Sequence, residues 1–114
     1  MAVTWADVVT YAETLPEVSE STSYGTPCLK VAGKLMARLR TEDDGGLAIK
    51  CSASDKMALA GGGDPAYYTI PHYDGYNYVL VRLELARADE VFELIADAWH
   101  IAAPPTLRKR HATD

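Results

Sequence analysis

Cysteine is scarce in this chain. Cys28 and Cys51 are its two thiols in 114 residues, so no disulfide framework and no Cys-x-x-Cys redox or zinc motif organises the fold. Both stand in apolar strand contexts, where a buried and inert thiol is the default. No window approaches the 18 or more apolar residues of a membrane span. The opening "MAVTWADVV" lacks a basic region followed by an apolar run, so no signal peptide is expected, and a reducing cytoplasm is the expected compartment. There is no internal repeat and no low-complexity stretch. Basic residues are outnumbered, 11 against 16 acidic, for a net charge of −5. That balance argues against a strongly basic nucleic-acid binder and favours solubility.

What remains is an ordinary globular composition, 48% apolar and 24% charged, of a length that suits one domain and buries a core without staples. Residues 4–15, "TWADVVTYAETL", carry Trp5, Val8, Val9, Ala12 and Leu15 at helical spacing. Thr4 and Asp7 have capping-box spacing, and Pro16 closes the segment. "EVSESTSYGTP" reads as a loop. Residues 28–32 and 35–41 read as two strands around "AGK". In the second, Leu35, Ala37 and Leu39 alternate with Met36, Arg38 and Arg40, the pattern of a half-solvated antiparallel strand. "TEDDGG" is a turn signal. "GLAIKC" is a third strand, and "SASDKMALAGGG" a short helix capped by Ser52 and stopped by glycine. "YYTI" at 67–70 and "YVLVRLEL" at 78–85 are strands, separated by the turn "PHYDGYN". Val91, Ile95, Ala98 and Ala102, with Leu94 and Trp99, mark a helix over 88–102 that Pro104–Pro105 ends.

The expected order is helix, three strands, helix, two strands, helix. Short connections favour antiparallel pairing. The economical packing is an α+β two-layer sandwich with about five strands and the helices on one face. The domain is expected over residues 1–104, with 105–114 a mobile polar tail.

The blocks "SYGTPCLKVAGKLMARL", "LAIKC", "YNYVLVRL" and "ELIADAWHIAAP" together resemble the MmcQ/YjbR-like family over about residues 3–104. Where that family usually has "GTP-F-KV" this chain has "GTPCLKV", and Ala98–Trp99 stand where "SY" is typical. The resemblance implies a two-layer fold with an antiparallel sheet, of the kind also seen in secretion chaperones. It also implies DNA binding in which sheet and turns act as a double wing.

Charge is segregated along the chain. Residues 29–40, 46–51 and 78–85 hold six basic residues and one acid, against five basic and 15 acidic elsewhere. Arg38, Arg40, Lys50 and Arg82 all fall opposite apolar strand positions and can share the solvent face, with Lys30 nearby. Such a face presents a local positive field on an acidic protein. Long cations also solvate sheet faces and blunt edges with no ligand in view. If the face meets nucleic acid, these five residues contact phosphate. Tyr24, Tyr73, Tyr76 and Tyr78 are candidates for stacking on unpaired bases, although most tyrosines at such places simply fill surface. His72 and Asp74 can form an orienting pair, but no nucleophile accompanies them in a readable motif. No His or Cys stands at metal-ligand spacing. "AGGGDP" follows a helix and precedes a strand, the reverse of a phosphate loop. "LRKRH" reads as a solubilising tail, with a basic arm as the functional alternative. The expectation is therefore a non-enzymatic DNA-binding protein with no cofactor or metal. A protein–protein adaptor or chaperone-like dimer is the alternative, and a small-molecule binder or enzyme the third reading.

Overall fold

A computed structural model describes residues 3–23, 25–40 and 46–113. Tyr24 and the "TEDDG" part of the expected turn, with the last residue of the 35–41 strand, lie outside the described residues.

Helix α1, Trp5–Ala12, starts on the expected capping box. The Asp7 amide donates to Thr4 Oγ1 at 3.1 Å and the Thr4 amide to Asp7 Oδ2 at 3.0 Å. Six strands follow: β1 Val18–Ser23, β2 Thr26–Val31, β3 Lys34–Leu39, β4 Leu47–Lys50, β5 Tyr67–Tyr68 and β6 Tyr78–Val81. They form one antiparallel sheet in the order β1-β2-β3-β4-β6-β5. Helix α2, Ala53–Ala60, sits between β4 and β5 in the chain, its first turn capped by Ser52 Oγ. Helix α3, Ala88–Ala102, has the bounds its periodicity predicts. The fold is the expected α+β class with a sheet one strand wider.

That extra strand is β1, read above as loop. "VSESTS" has no apolar alternation because it is an exposed edge, and it is held by backbone pairing to β2, from Val18↔Val31 to Ser23↔Thr26. Strands β5 and β6 are shorter than expected. After Val81 the chain turns, with Leu85 N–H donating to Arg82 O and Ala86 N–H to Leu83 O.

The core lies on one side of the sheet. Leu29, Val31, Ala37, Leu47, Ile49, Val79 and Val81 face α3, whose Val91, Ile95, Ala98 and Trp99 are fully buried. Helix α1 packs on α3, with Tyr11 and Phe92 stacked at 4.6 Å between ring centres. Residues 105–113, expected as a mobile tail, instead form a packed helix, α4 (Pro105–Thr113). One apolar residue anchors it, Leu107, buried against the core. A single apolar anchor leaves no periodicity to read, which is why the segment looks like a tail in sequence.

The β2–β3 hairpin closes with a two-residue turn in which Ala32 and Gly33 have φ of 48° and 83°. Both central residues of such a turn need positive φ, which suits Asn-Gly and strains alanine. Ala32 is exposed, and its N–H donates to Glu17 O, a bond any non-proline residue keeps. Ala32→Asn is therefore expected to stabilise the protein by about 0.5–1 kcal/mol, read as a melting temperature higher by a few degrees.

Candidate nucleic-acid interface

Side chains alternate across a strand, so cross-strand partners share a face. One row of partners runs Cys28, Arg38, Ala48, Leu80, Tyr68 from β2 to β5. Lys50 pairs with Tyr78 in the next row on the same face. Arg40 and Arg82 continue β3 and β6 by one step, their amides donating to Gly46 O and Ala66 O. Lys30 stands two residues from Cys28, between Ser19 of β1 and Leu35 of β3. All five basic residues singled out in the sequence thus leave the sheet on the side away from α1 and α3. Glu20 is the one acid within the described strands. It pairs with the core residue Leu29 and so belongs to the opposite side, where it accepts from Trp5 Nε1 at 3.2 Å.

The simple alternation fails at one point in β3. The register shifts between Leu29 and Lys30, leaving Met36 as an unpaired extra residue. This bulge sends both Met36 and Ala37 into the core and turns Leu35 to the face of Lys30. The expected assignment of Leu35 and Met36 is reversed. Arg38 and Arg40, beyond the bulge, keep theirs.

A second correction concerns exposure. Arg38 and Arg40 are only 8% and 7% exposed, so they are not cations free in solvent. Arg38 Nε donates to Thr26 Oγ1 at 2.9 Å. Arg40 Nη1 donates to Tyr73 Oη at 3.2 Å, and its guanidinium carbon lies 5.3 Å from the centre of that ring. For Arg40 the cover is the segment Pro71–Tyr73, one turn of 3-10 helix that folds back over the sheet and buries Tyr73 on Ala48 and Leu80. Helix α2 fixes this segment from the side. Lys56 Nζ donates to the carbonyls of Tyr73 and Tyr76 at 2.7 and 2.6 Å.

Lys30, Lys50 and Arg82 are only partly buried and carry the accessible charge. Lys50 Nζ lies 5.8 Å from the centre of the Tyr78 ring. The guanidinium of Arg82 lies 3.9 Å over the Tyr68 ring, and its Nη1 donates to Pro65 O at 2.8 Å. Tyr68 in turn lies across Gly46, where any Cβ would collide with the phenol. Burial and the neighbouring Tyr73 push the Tyr78 phenol above its ordinary range, so it stays neutral beside Lys50 at physiological pH.

Tyr68 was missed in the sequence reading. The available signal was its place on β5, two apart in phase from the β6 tyrosine, but strand order is needed to bring it under Arg82. Tyr73 and Tyr78 gather at this face with ring centres 5.6 Å apart, Tyr73 buried and Tyr78 half-buried, and Tyr76 is exposed on the segment that joins them. His72 and Asp74 are both exposed on the 71–77 segment, and the His72 ring meets Tyr73 edge-on at 5.0 Å. Cys28 and Cys51 are buried free thiols, and burial with nearby Asp55 pushes the Cys51 thiol up.

The helical side carries the opposite sign. A groove of about 420 Å³ between α2 and α3 is lined by Asp55, Asp64, Glu90, Glu93 and Asp97. Tyr67 donates to Glu90 Oε1 across its floor at 3.0 Å. Burial first, and this carboxylate second, hold the Tyr67 phenol well above its usual range. Among the described residues, no group of three or more His, Cys, Asp or Glu is placed to hold a metal ion, and no helix is long and apolar enough to cross a membrane.

Residues 13–101 match the YjbR family. The chain belongs to that family. Uncharacterized proteins of mycobacteria are similar to it along nearly their whole length. Rv2570 of Mycobacterium tuberculosis H37Rv and Mb2600 of Mycobacterium bovis are each 31% identical over 118 residues, covering 91% of this chain and 92% of the relative. The YjbR match takes in every strand of the cationic face and helix α3 up to Ile101. It stops short of α4.

Proposed function

We propose that this YjbR-family protein binds nucleic acid, DNA in the first instance, through the open face of its sheet. One observation carries the reading. Five basic side chains leave one face of the sheet, while the single acid of the described strands leaves the other. Three of the five, Lys30, Lys50 and Arg82, have the exposure to reach phosphate. Arg38, bonded to Thr26, and Arg40, bonded to Tyr73, lie under the surface and stiffen it. Neutralising about three phosphates implies modest affinity with a salt slope near −3 on duplex, at roughly −0.9 per contact.

The test is a fluorescence anisotropy titration of labelled DNA across a salt series beginning at low ionic strength. Saturable binding that weakens linearly in log salt is the expected result. No binding by the intact protein at low salt ends this reading. Self-association is the second reading, favoured by β1, a six-residue edge strand whose one charge is Glu20 and whose outer backbone can pair with another strand. Sedimentation equilibrium distinguishes it: a stable dimer that binds no nucleic acid favours the second reading over the first.

A further inference from the structure

The nucleic-acid reading leaves the form of the strand open, and the aromatic groups on the face bear on it. A duplex offers phosphates on its outside and base edges in its grooves, and the major groove takes a helix or a two-stranded ribbon. Here α1 and α3 lie on the far side of the sheet. What faces outward among the cations is tyrosine. Tyr76 is 63% exposed, yet its backbone is pinned by the Lys56 ammonium. The pinned backbone fixes where this side chain starts, so only its own rotation is left to order when a partner stacks on it. Tyr78 is half-buried and stands beside Lys50. Arg82 is held over Tyr68 and tied to Pro65 O, which presents a planar cation already oriented. The faces of bases are the complement of such groups, and a paired duplex hides them. An unpaired strand offers both base faces and phosphates, the combination used by aromatic-lined, positively charged single-strand grooves.

We infer that the open face takes single-stranded nucleic acid, with Lys30, Lys50 and Arg82 on the phosphates and Tyr76 and Tyr78 stacking on unpaired bases. The inference rests on the nucleic-acid reading above. It differs from it in requiring the bases, and that difference can be measured.

The experiment compares three labelled probes carrying the same number of phosphates: an oligo-dT strand, an abasic sugar-phosphate strand and a duplex. Each is titrated with the intact protein at one salt concentration. The dT strand is expected to bind about tenfold more tightly than the abasic strand, given the usual worth of base–aromatic stacking, and more tightly than the duplex. Tyr76→Ala should lose about fivefold on dT and nothing on the abasic strand, with the salt slope unchanged. Tyr76 is exposed and its backbone contact survives the substitution, so the variant stays folded. Tyr78→Phe, which keeps the ring, should retain dT binding. Equal affinity for dT and abasic strands overturns the inference while leaving phosphate binding in place, and so does tighter binding to the duplex. Binding to none of the three overturns both readings.

Discussion

Replacing Trp99 by alanine is expected to remove about 3–5 kcal/mol of stability, the usual cost of deleting a fully buried tryptophan. The whole stability of a small domain is about 5–15 kcal/mol, so the variant sits at the edge of folding. The indole has no exposed surface, and its Nε1 donates to Pro16 O at 2.9 Å. It also meets the His100 ring edge-on at 5.1 Å and the His111 ring at 4.8 Å. One side chain thus joins α3, the segment after α1 and helix α4. Its removal opens a cavity and leaves a partly buried carbonyl without its donor. Trp99→Phe keeps most of the packing and loses the hydrogen bond, so its cost should fall to about 1–2 kcal/mol. Urea denaturation of the three proteins checks the order. Equal midpoints for the alanine variant and the parent would contradict the assigned role. The Trp99 indole is the side chain that reaches α4, through His111.

The second large effect is on binding. Replacing both Lys50 and Arg82 by alanine should make the salt slope on a single strand shallower by about 1.4 units, at roughly 0.7 per lost phosphate contact. Affinity at low salt should fall most, because that is where the electrostatic contribution is greatest. Thermal stability should change little, since partly exposed cations contribute under about 1 kcal/mol each, with a similar small loss from the Arg82–Tyr68 contact. Arg38→Ala is the contrasting variant. Arg38 is buried and bonded to Thr26, so its loss should appear as lowered stability as well as lowered affinity. If the double variant binds as the parent does, the phosphate surface lies elsewhere, and Arg108, Lys109 and Arg110 of α4 become the next residues to replace.

Local chemistry made much of the fold legible. The 88–102 helix is bounded by acidic residues at its start and by two prolines after its end, and both signals act within a turn of the chain. The Thr4 and Ser52 caps are equally local. Strand β1 was not legible, because an exposed edge needs no apolar face and its hydrogen bonds are supplied by β2. The bulge at Met36 was not legible either, since either register leaves an apolar residue available for the core. For the candidate site, period-two alternation put Arg38, Arg40, Lys50 and Arg82 on one face. Their exposure depends on contacts across the chain. Arg40 is covered by Tyr73, 33 residues away, and no spacing in the sequence encodes that return.

The separation of charge across the sheet has a consequence for how the molecule behaves before it touches anything. With basic groups on the open face and a carboxylate-lined groove between α2 and α3, it carries two local patches of opposite sign. The first suits a polyanion and the second a polycation. Net charge is then a poor guide to its chromatography. At pH 7 and low salt, a protein of net −5 should be retarded on a cation exchanger as well as held by an anion exchanger, each resin gripping a different side.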